Sequence, residues 1–279
     1  MRIESGGLSD VGHQRHNNED CYRIVGPLNL FIISDGMGGE AHGEIASSLA
    51  VETVVKYCMQ PGNPGEEPVS GNEQPGWNPK TRRLFTAVHL ANRAIHESAE
   101  QHPEQQGMGA TLTAAWIDQD KLSVAHVGDS RAYLVRSGAL QQLTSDHSLV
   151  AEQVRRGILS SAEAERSEMQ SVLLRALGTQ PQVEVDAEEH QLFPNDILLL
   201  CSDGLTRMVT EPEIAGTLQA EPDAIKAAEK LIVLANDNGG ADNVTVIVVR
   251  LEPEEKKWLS WIRRGTKKDA GDNDSAGGD

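Results

Sequence analysis

The chain holds 279 residues, enough for one large α/β domain with a real core or two small ones, and with 4% aromatics that core falls to Leu, Ile, Val and Ala. A formal net charge of −17, almost all of it within residues 1–251, speaks against nucleic acid as a partner, because phosphate backbones are met by basic patches. Cys21, Cys58 and Cys201 are too far apart in sequence for a zinc cluster or a disulfide framework. No charged-then-apolar leader and no apolar run near the ~18 residues of a membrane helix is present, so the expectation is a soluble cytoplasmic protein with no membrane span.

In chain order, residues 29–33 (NLFII) form a continuous apolar run, as in a strand covered on both faces. Residues 43–59 place Ile45, Leu49, Val51, Val54, Val55 and Cys58 at helical spacing, and 81–100 repeat the pattern with Leu84, Val88, Ala91 and Ile95. Between them, residues 61–79 are dense in Pro, Gly, Glu and Asn and read as a flexible insertion. Residues 111–117, 122–128 and 132–136 read as strands, and Ser137-Gly138 as a hairpin turn. A second continuous run, 197–201 (ILLLC), precedes two helices at 211–219 and 222–235 that open on Glu-Pro pairs, and 244–251 (VTVIVVRL) reads as a last strand. Paired helices and runs of strands favour α+β layering over an alternating parallel sheet. Residues 252–279 are a charged tail to which no structure is assigned; Trp258, Leu259, Trp261 and Ile262, between basic pairs, either dock a partner, fold back on the body, or fray.

Four constellations carry chemistry. Ser34-Asp35-Gly36 and Ser202-Asp203-Gly204 each follow a buried apolar run, so each acid leaves a rigid strand and each glycine lets the backbone come close to a ligand. Arg15-His16-Asn17-Asn18-Glu19-Asp20 sets two adjacent acids, as hard oxygen ligands, beside a guanidinium whose fork matches two phosphate oxygens. Asp242 stands just before the last strand, and Asp129 in a turn between two strands. Taken singly, each is also an ordinary turn or a surface ion pair. Together, acid-rich loops at strand ends without a Cys/His cluster select magnesium or manganese over zinc. Two such ions about 4 Å apart activate a water and hold a phosphoryl group for in-line attack, with no covalent nucleophile.

The ordered set RHNNED (15–20), FIISDGMGGE (31–40), GMGATL (107–112), VGDSRAY (127–133), LTSDHS (143–148), LLLCSDGLT (198–206) and ADNVTVIVV (241–249) resembles the metal-dependent Ser/Thr protein phosphatases of type 2C, the PPM family, in its bacterial form. The resemblance spans residues 1–251 and implies a catalytic domain there. The fold it implies is α+β, a four-layer αββα sandwich of two antiparallel sheets flanked by helices. It implies that Asp35 bridges two Mn2+ or Mg2+ ions with the Gly36 carbonyl as a further ligand. Asp20, Asp203 and Asp242 then complete the shells, and Glu19 acts through a water. Asp129, helped by Asp203, holds a third, weaker ion, and Arg15 binds the substrate phosphate. Residues 146–178 become a flap beside the site that steers substrate choice. The substrates implied are phosphorylated proteins, a Ser/Thr kinase and its targets among them. The sequence departs from the family pattern at two places. Met37 stands where some members carry a histidine, a candidate general acid, with His42 the nearest alternative. The flap segment 166–171 (RSEMQS) lacks a His-Pro pair.

Two other readings are weighed. Cys201 to Arg207 fits C-x5-R, the signature of cysteine-dependent phosphatases. Asp203 would put a carboxylate inside the anion cradle, however, and a buried thiol is inert. A non-catalytic phosphoprotein-binding module would be marked by a lost acid, and none is missing. The remaining histidines show no ligand spacing and read as surface or core residues.

Overall fold

A strand that is apolar on both faces needs cover on both sides, as the runs at 29–33 and 197–201 have here. The computed structural model describes residues 1–38, 42–61, 76–164 and 166–253. In chain order these form β1 (Arg2–Asp10), β2 (Asp20–Val25), β3 (Leu30–Met37), α1 (His42–Met59), α2 (Pro79–Gln101), β4 (Gly109–Ala110), β5 (Leu112–Asp118), β6 (Lys121–Val127), β7 (Arg131–Arg136), β8 (Ala139–Gln142), α3 (Leu149–Arg155), α4 (Ser161–Ala164), β9 (Asp186–Gln191), β10 (Ile197–Cys201), α5 (Asp203–Thr206), α6 (Glu211–Ala220), α7 (Ala224–Asp237) and β11 (Val244–Glu252). One sheet is ordered β1-β11-β10-β7-β8 and the other β2-β3-β5-β6-β9, with β4 paired to β3. The pairings are antiparallel.

Alternation along the strands builds three apolar layers. Leu30 and Ile32 of β3 pack under α1 and α2, while Phe31 and Ile33 face the other sheet. Leu198 and Leu200 of β10 meet that same inter-sheet layer, and Leu199 and Cys201 pack against α5, α6 and α7. The α+β sandwich of four layers expected from the sequence is therefore the fold found, and each continuous run is a strand with a helix layer on one face and a sheet on the other.

Local chemistry sets the boundaries. The Asn78 side chain accepts from the N–H groups of Lys80 and Thr81, and Pro79 fits the first turn, so α2 begins two residues before the expected 81. Thr210 and Glu213 form a capping box around α6, which does open on Glu211-Pro212. The second Glu-Pro pair differs: Asp223 caps α7, so Glu221-Pro222 lies ahead of that helix. Ser137 and Gly138 both have positive φ (51° and 85°), the signature of a two-residue hairpin turn, and they join β7 to β8.

The sequence reading leaves out β1, β2, β8 and β9. Those at the sheet edges carry little apolar pattern: β9 reads DAEEHQ and β8 reads ALQQ. Residues 62–75 of the expected insertion and the tail from 254 onward lie outside the described residues. Trp77 does not extend away from the body; it packs against Phe85 with ring centroids 5.2 Å apart. Leu199 is wholly buried. Replacing it with Ala should leave a cavity and cost about 3 kcal/mol. Equilibrium urea unfolding should show this as a lower midpoint at unchanged slope.

Candidate active site

In antiparallel sheets the ends of some strands lie beside the starts of their neighbours, and this gathers the acids. Asp20 opens β2 and pairs directly with Asp35 on β3. Asp203 is the first residue of α5, two residues past β10, and Asp242 stands two residues before β11, the neighbour of β10. Asp129 sits in the turn from β6 to β7, and Glu19 precedes β2. Each acid expected from the sequence therefore lies at one end of the sandwich. Gly36 is locked there too. A Cβ on it would come within 2.0 Å of the Gly43 carbonyl oxygen and 2.8 Å of that of Glu19, so no side chain fits. Gly204 is held the same way: a Cβ on it would come within 2.0 Å of the Asn243 carbonyl oxygen.

A hydrogen-bonded scaffold fixes these positions. Thr245 and Ser202 hydroxyls donate to Asp20 Oδ2 at 2.6 and 2.7 Å. The Thr111 hydroxyl accepts from the Asp35 N–H at 3.0 Å and bonds the Ser130 hydroxyl at 2.7 Å, tying the strand of Asp35 to the turn of Asp129. Asn243 is buried; its amide donates to the carbonyls of Val11 and Asn17, and its Oδ1 accepts from the Glu19 N–H at 2.8 Å. Sequence reasoning gave no role to Thr111, Ser202, Asn243 or Thr245. All four lie inside motifs quoted above, but their role is visible only once distant strands meet.

Two guanidinium groups are interleaved with the acids. Arg15 Nη2 is 2.9 Å from Asp242 Oδ2, and the Arg15 side chain is half-exposed at the mouth. Arg207 Nη2 is 2.5 Å from Asp203 Oδ2 and 3.8 Å from Asp129 Oδ2, and its Nη1 is 3.9 Å from Asp242 Oδ2. Arg207 entered the sequence reading only as the end of the C-x5-R pattern. That pattern fails as a site: Cys201 is wholly buried in β10, and burial pushes its thiol up to about 12.

The electrostatics are those of crowded like charges. Burial first, then repulsion from Asp203 and Asp242, lifts the Asp20 carboxyl to about 7 in spite of its two hydroxyl donors. Asp129 is lifted to about 7 by burial and then by Asp203. Asp35 stands well above the usual carboxylate range, through burial and then repulsion from Asp20, Asp203, Asp129 and Asp242. Asp203 is raised by burial and eased by Arg207 and by a hydrogen bond to Asp35. Asp20 Oδ1 and Asp203 Oδ1 are buried with no hydrogen-bond partner. Among the described residues, no three acid, histidine or cysteine side chains close around one point as a finished cage. An all-oxygen donor set with orphaned buried oxygens and mutual repulsion nevertheless fits hard divalent cations.

Behind the site, the start of the expected flap is pinned. Arg131 makes a forked contact with Asp146 at 2.9 and 2.7 Å. The buried His147 accepts from the Gly128 N–H and bonds Asp186 at 3.0 Å, and Arg175 donates to Asp186 at 2.9 Å. The His147 bond holds the Asp186 carboxyl below its usual range. His126 packs against the His147 ring, and burial pushes it down to about 4.

Two antiparallel sheets packed face to face between helix layers, with acids and arginines gathered at one end, define a hydrolase of the αββα sandwich class. The model of the family "Protein phosphatase 2C" matches residues 12–231. The chain belongs to that family. It is 37% identical over 251 residues to the serine/threonine phosphatase stp of Listeria monocytogenes, covering 89% of this chain and 96% of the relative. The Mycobacterium tuberculosis serine/threonine phosphatase PstP/Ppp superposes with a TM-score of 0.79 at 36% identity, covering 90% of this chain and 99% of that one. A structure of the PstP catalytic domain in complex with two manganese ions superposes with a TM-score of 0.77 at 35% identity, covering 90% and 99%.

Asn243→Ala should strand the Glu19 N–H and release the 11–19 loop, costing about 2 kcal/mol in urea unfolding. His126 is neutral when folded. As pH falls from 6.5 towards about 4, the unfolded chain takes up a proton that the folded chain refuses. Stability is therefore lost across that window, by roughly 3 kcal/mol. In His126→Gln, the stability difference from wild type should shrink as pH falls through the window; a difference that stays constant counts against it.

Proposed function

We propose that this phosphatase hydrolyses phosphoserine and phosphothreonine esters of proteins at a centre of two Mg2+ or Mn2+ ions. The observation that carries the reading is the buried, unpartnered oxygens of Asp20 and Asp203 within a mutually repelling set of carboxylates. When bound, the ions neutralise that set, polarise the phosphoryl group and activate a water.

Asp35, at the centre of the repulsion, is assigned the bridging position with the Gly36 carbonyl beside it. Asp20, Asp203 and Asp242 are assigned the outer positions, and Glu19 a position reached through water. Asp129 and Asp203 frame a third, weaker position. The scaffold of Thr111, Ser202, Asn243 and Thr245 fixes these groups before substrate arrives. Arg15 is assigned the substrate phosphate, which its planar fork suits. It shares Asp242 Oδ2 with the proposed ligand set, so a cation on Asp242 would release the guanidinium for that task.

Residues 1–251 are read as the catalytic domain and 146–178 as the flap that steers substrates, with a Ser/Thr kinase and its targets as the phosphoproteins. Among the described residues no helix is long and apolar enough to cross a membrane. Cys21, Cys58 and Cys201 are free thiols, which supports a reducing compartment, the cytoplasm.

The test is hydrolysis of a phosphothreonine peptide with added Mn2+. EDTA should abolish it and Mn2+ restore it, and Asp35→Asn and Asp203→Asn should each fall by at least about 100-fold. Wild-type rates in both variants would defeat the reading.

A further inference from the structure

We propose that Arg207 is a built-in cation that takes the third position, between Asp129 and Asp203, so that this enzyme works with two ions and not three. The inference rests on the metal-centre reading above and concerns how many ions the chain accepts.

The geometry comes from local sequence. Asp203 opens α5 and Arg207 caps its end four residues later, so helical spacing folds the guanidinium back over the acid. Leu205 between them is wholly buried, and Gly204 lies against the Asn243 carbonyl, so α5 cannot roll to turn Arg207 away. The guanidinium then spans three carboxylates. It contacts Asp203 Oδ2 at 2.5 Å and lies 3.8 Å from Asp129 Oδ2 and 3.9 Å from Asp242 Oδ2. The two oxygens of Asp203 are thereby divided. Oδ2 faces Arg207, while Oδ1 is buried without a partner and remains for the metal pair.

Arg207 also differs from a metal ion in being permanent. A guanidinium stays charged at any pH at which the protein folds, and it does not dissociate. An incoming divalent cation would have to break the Asp203 contact and then stand beside a fixed positive charge. Asp129 therefore acts as a partner of Arg207, positioning it, and serves as a ligand only when the arginine is gone.

Equilibrium dialysis of the full chain against Mn2+ alone, with bound metal counted by atomic absorption, tests this. Wild type should bind two ions. Arg207→Gln should gain a third site at least about tenfold tighter than any third binding in wild type, because a like charge a few ångströms away has been removed. Arg207→Lys should restore the count of two, and Asp129→Asn added to Arg207→Gln should abolish the third site. A wild type that binds three ions, or an Arg207→Gln that folds and still binds two, overturns the proposal. If Arg207→Gln does not fold, Asp129→Asn alone decides. An unchanged Mn2+ count supports Arg207 as the occupant, and a count lowered by one refutes it. Failure of the parent reading looks different: no Mn2+ bound by wild type, and no effect of Asp35→Asn on binding.

Discussion

Crowding of like charges is the constraint on which the rest of this structure depends. Asp20, Asp35, Asp129 and Asp203 are held above the usual carboxylate range, because burial strips their hydration and neighbouring carboxylates, Asp242 among them, repel their charged forms. A domain whose whole stability is about 5–15 kcal/mol can hold such a cluster only on a frame that does not yield. That frame is the three apolar layers, whose strands carry the acids out at one end. The arginines are part of the same solution. Arg15 and Arg207 stand among the carboxylates and hold apart charges that would otherwise force the loops open.

The two Ser-Asp-Gly segments show how one local pattern serves different ends. In both, the glycine is fixed by close backbone approach, and in both the serine hydroxyl reaches across to another motif. Ser34 donates to the Thr111 carbonyl, beneath Asp35; Ser202 donates to Asp20 itself. Asp35 stays within its strand, whereas Asp203 begins a helix of one turn. That turn is what brings Arg207 over the acids. The echo in sequence thus yields a symmetric pair of attachments and an asymmetric charge distribution.

Much of this was legible beforehand because burial writes itself into sequence. The runs at 29–33 and 197–201 are apolar on both faces, so they announced the central strands of the two sheets. Asp35 and Asp203 were legible because Asp followed by Gly after such a run is a rigid exit, whereas Asp20, Asp129 and Asp242 became legible only as members of the ordered set of motifs. What stayed hidden was determined by partners remote in sequence. Edge strands such as β9 carry charge on their open side and lose the alternating signal. Asn243 reads as any turn amide until residues 11, 17 and 19 are seen bonded to it. Arg207 reads as the end of a cysteine motif until α5 folds it back. The helix at 224–237 began after its Glu-Pro pair because Asp223 offers a better cap than proline offers a first turn.

The remaining tension is that a chain of net charge −17 acts on anionic esters. Salt resolves most of it, since charges more than about 8 Å away are screened at physiological ionic strength, so an approaching phosphate responds to the mouth of the site and little to the whole surface. At that mouth Arg15 is a half-exposed fixed positive charge, and it is engaged with Asp242. On the proposed reading, the same oxygen of Asp242 is wanted by a metal ion. Cation loading and readiness for phosphate are then one event: an empty centre keeps its clamp closed on its own acid, and a loaded one presents it. Arg207 touches that exchange only at longer range: its Nη1 is 3.9 Å from the same Asp242 oxygen, while its closest contact, at 2.5 Å, is with Asp203 on the inner side. The two arginines divide the labour by position, the outer one answering to the substrate and the inner one holding the charge balance of the site.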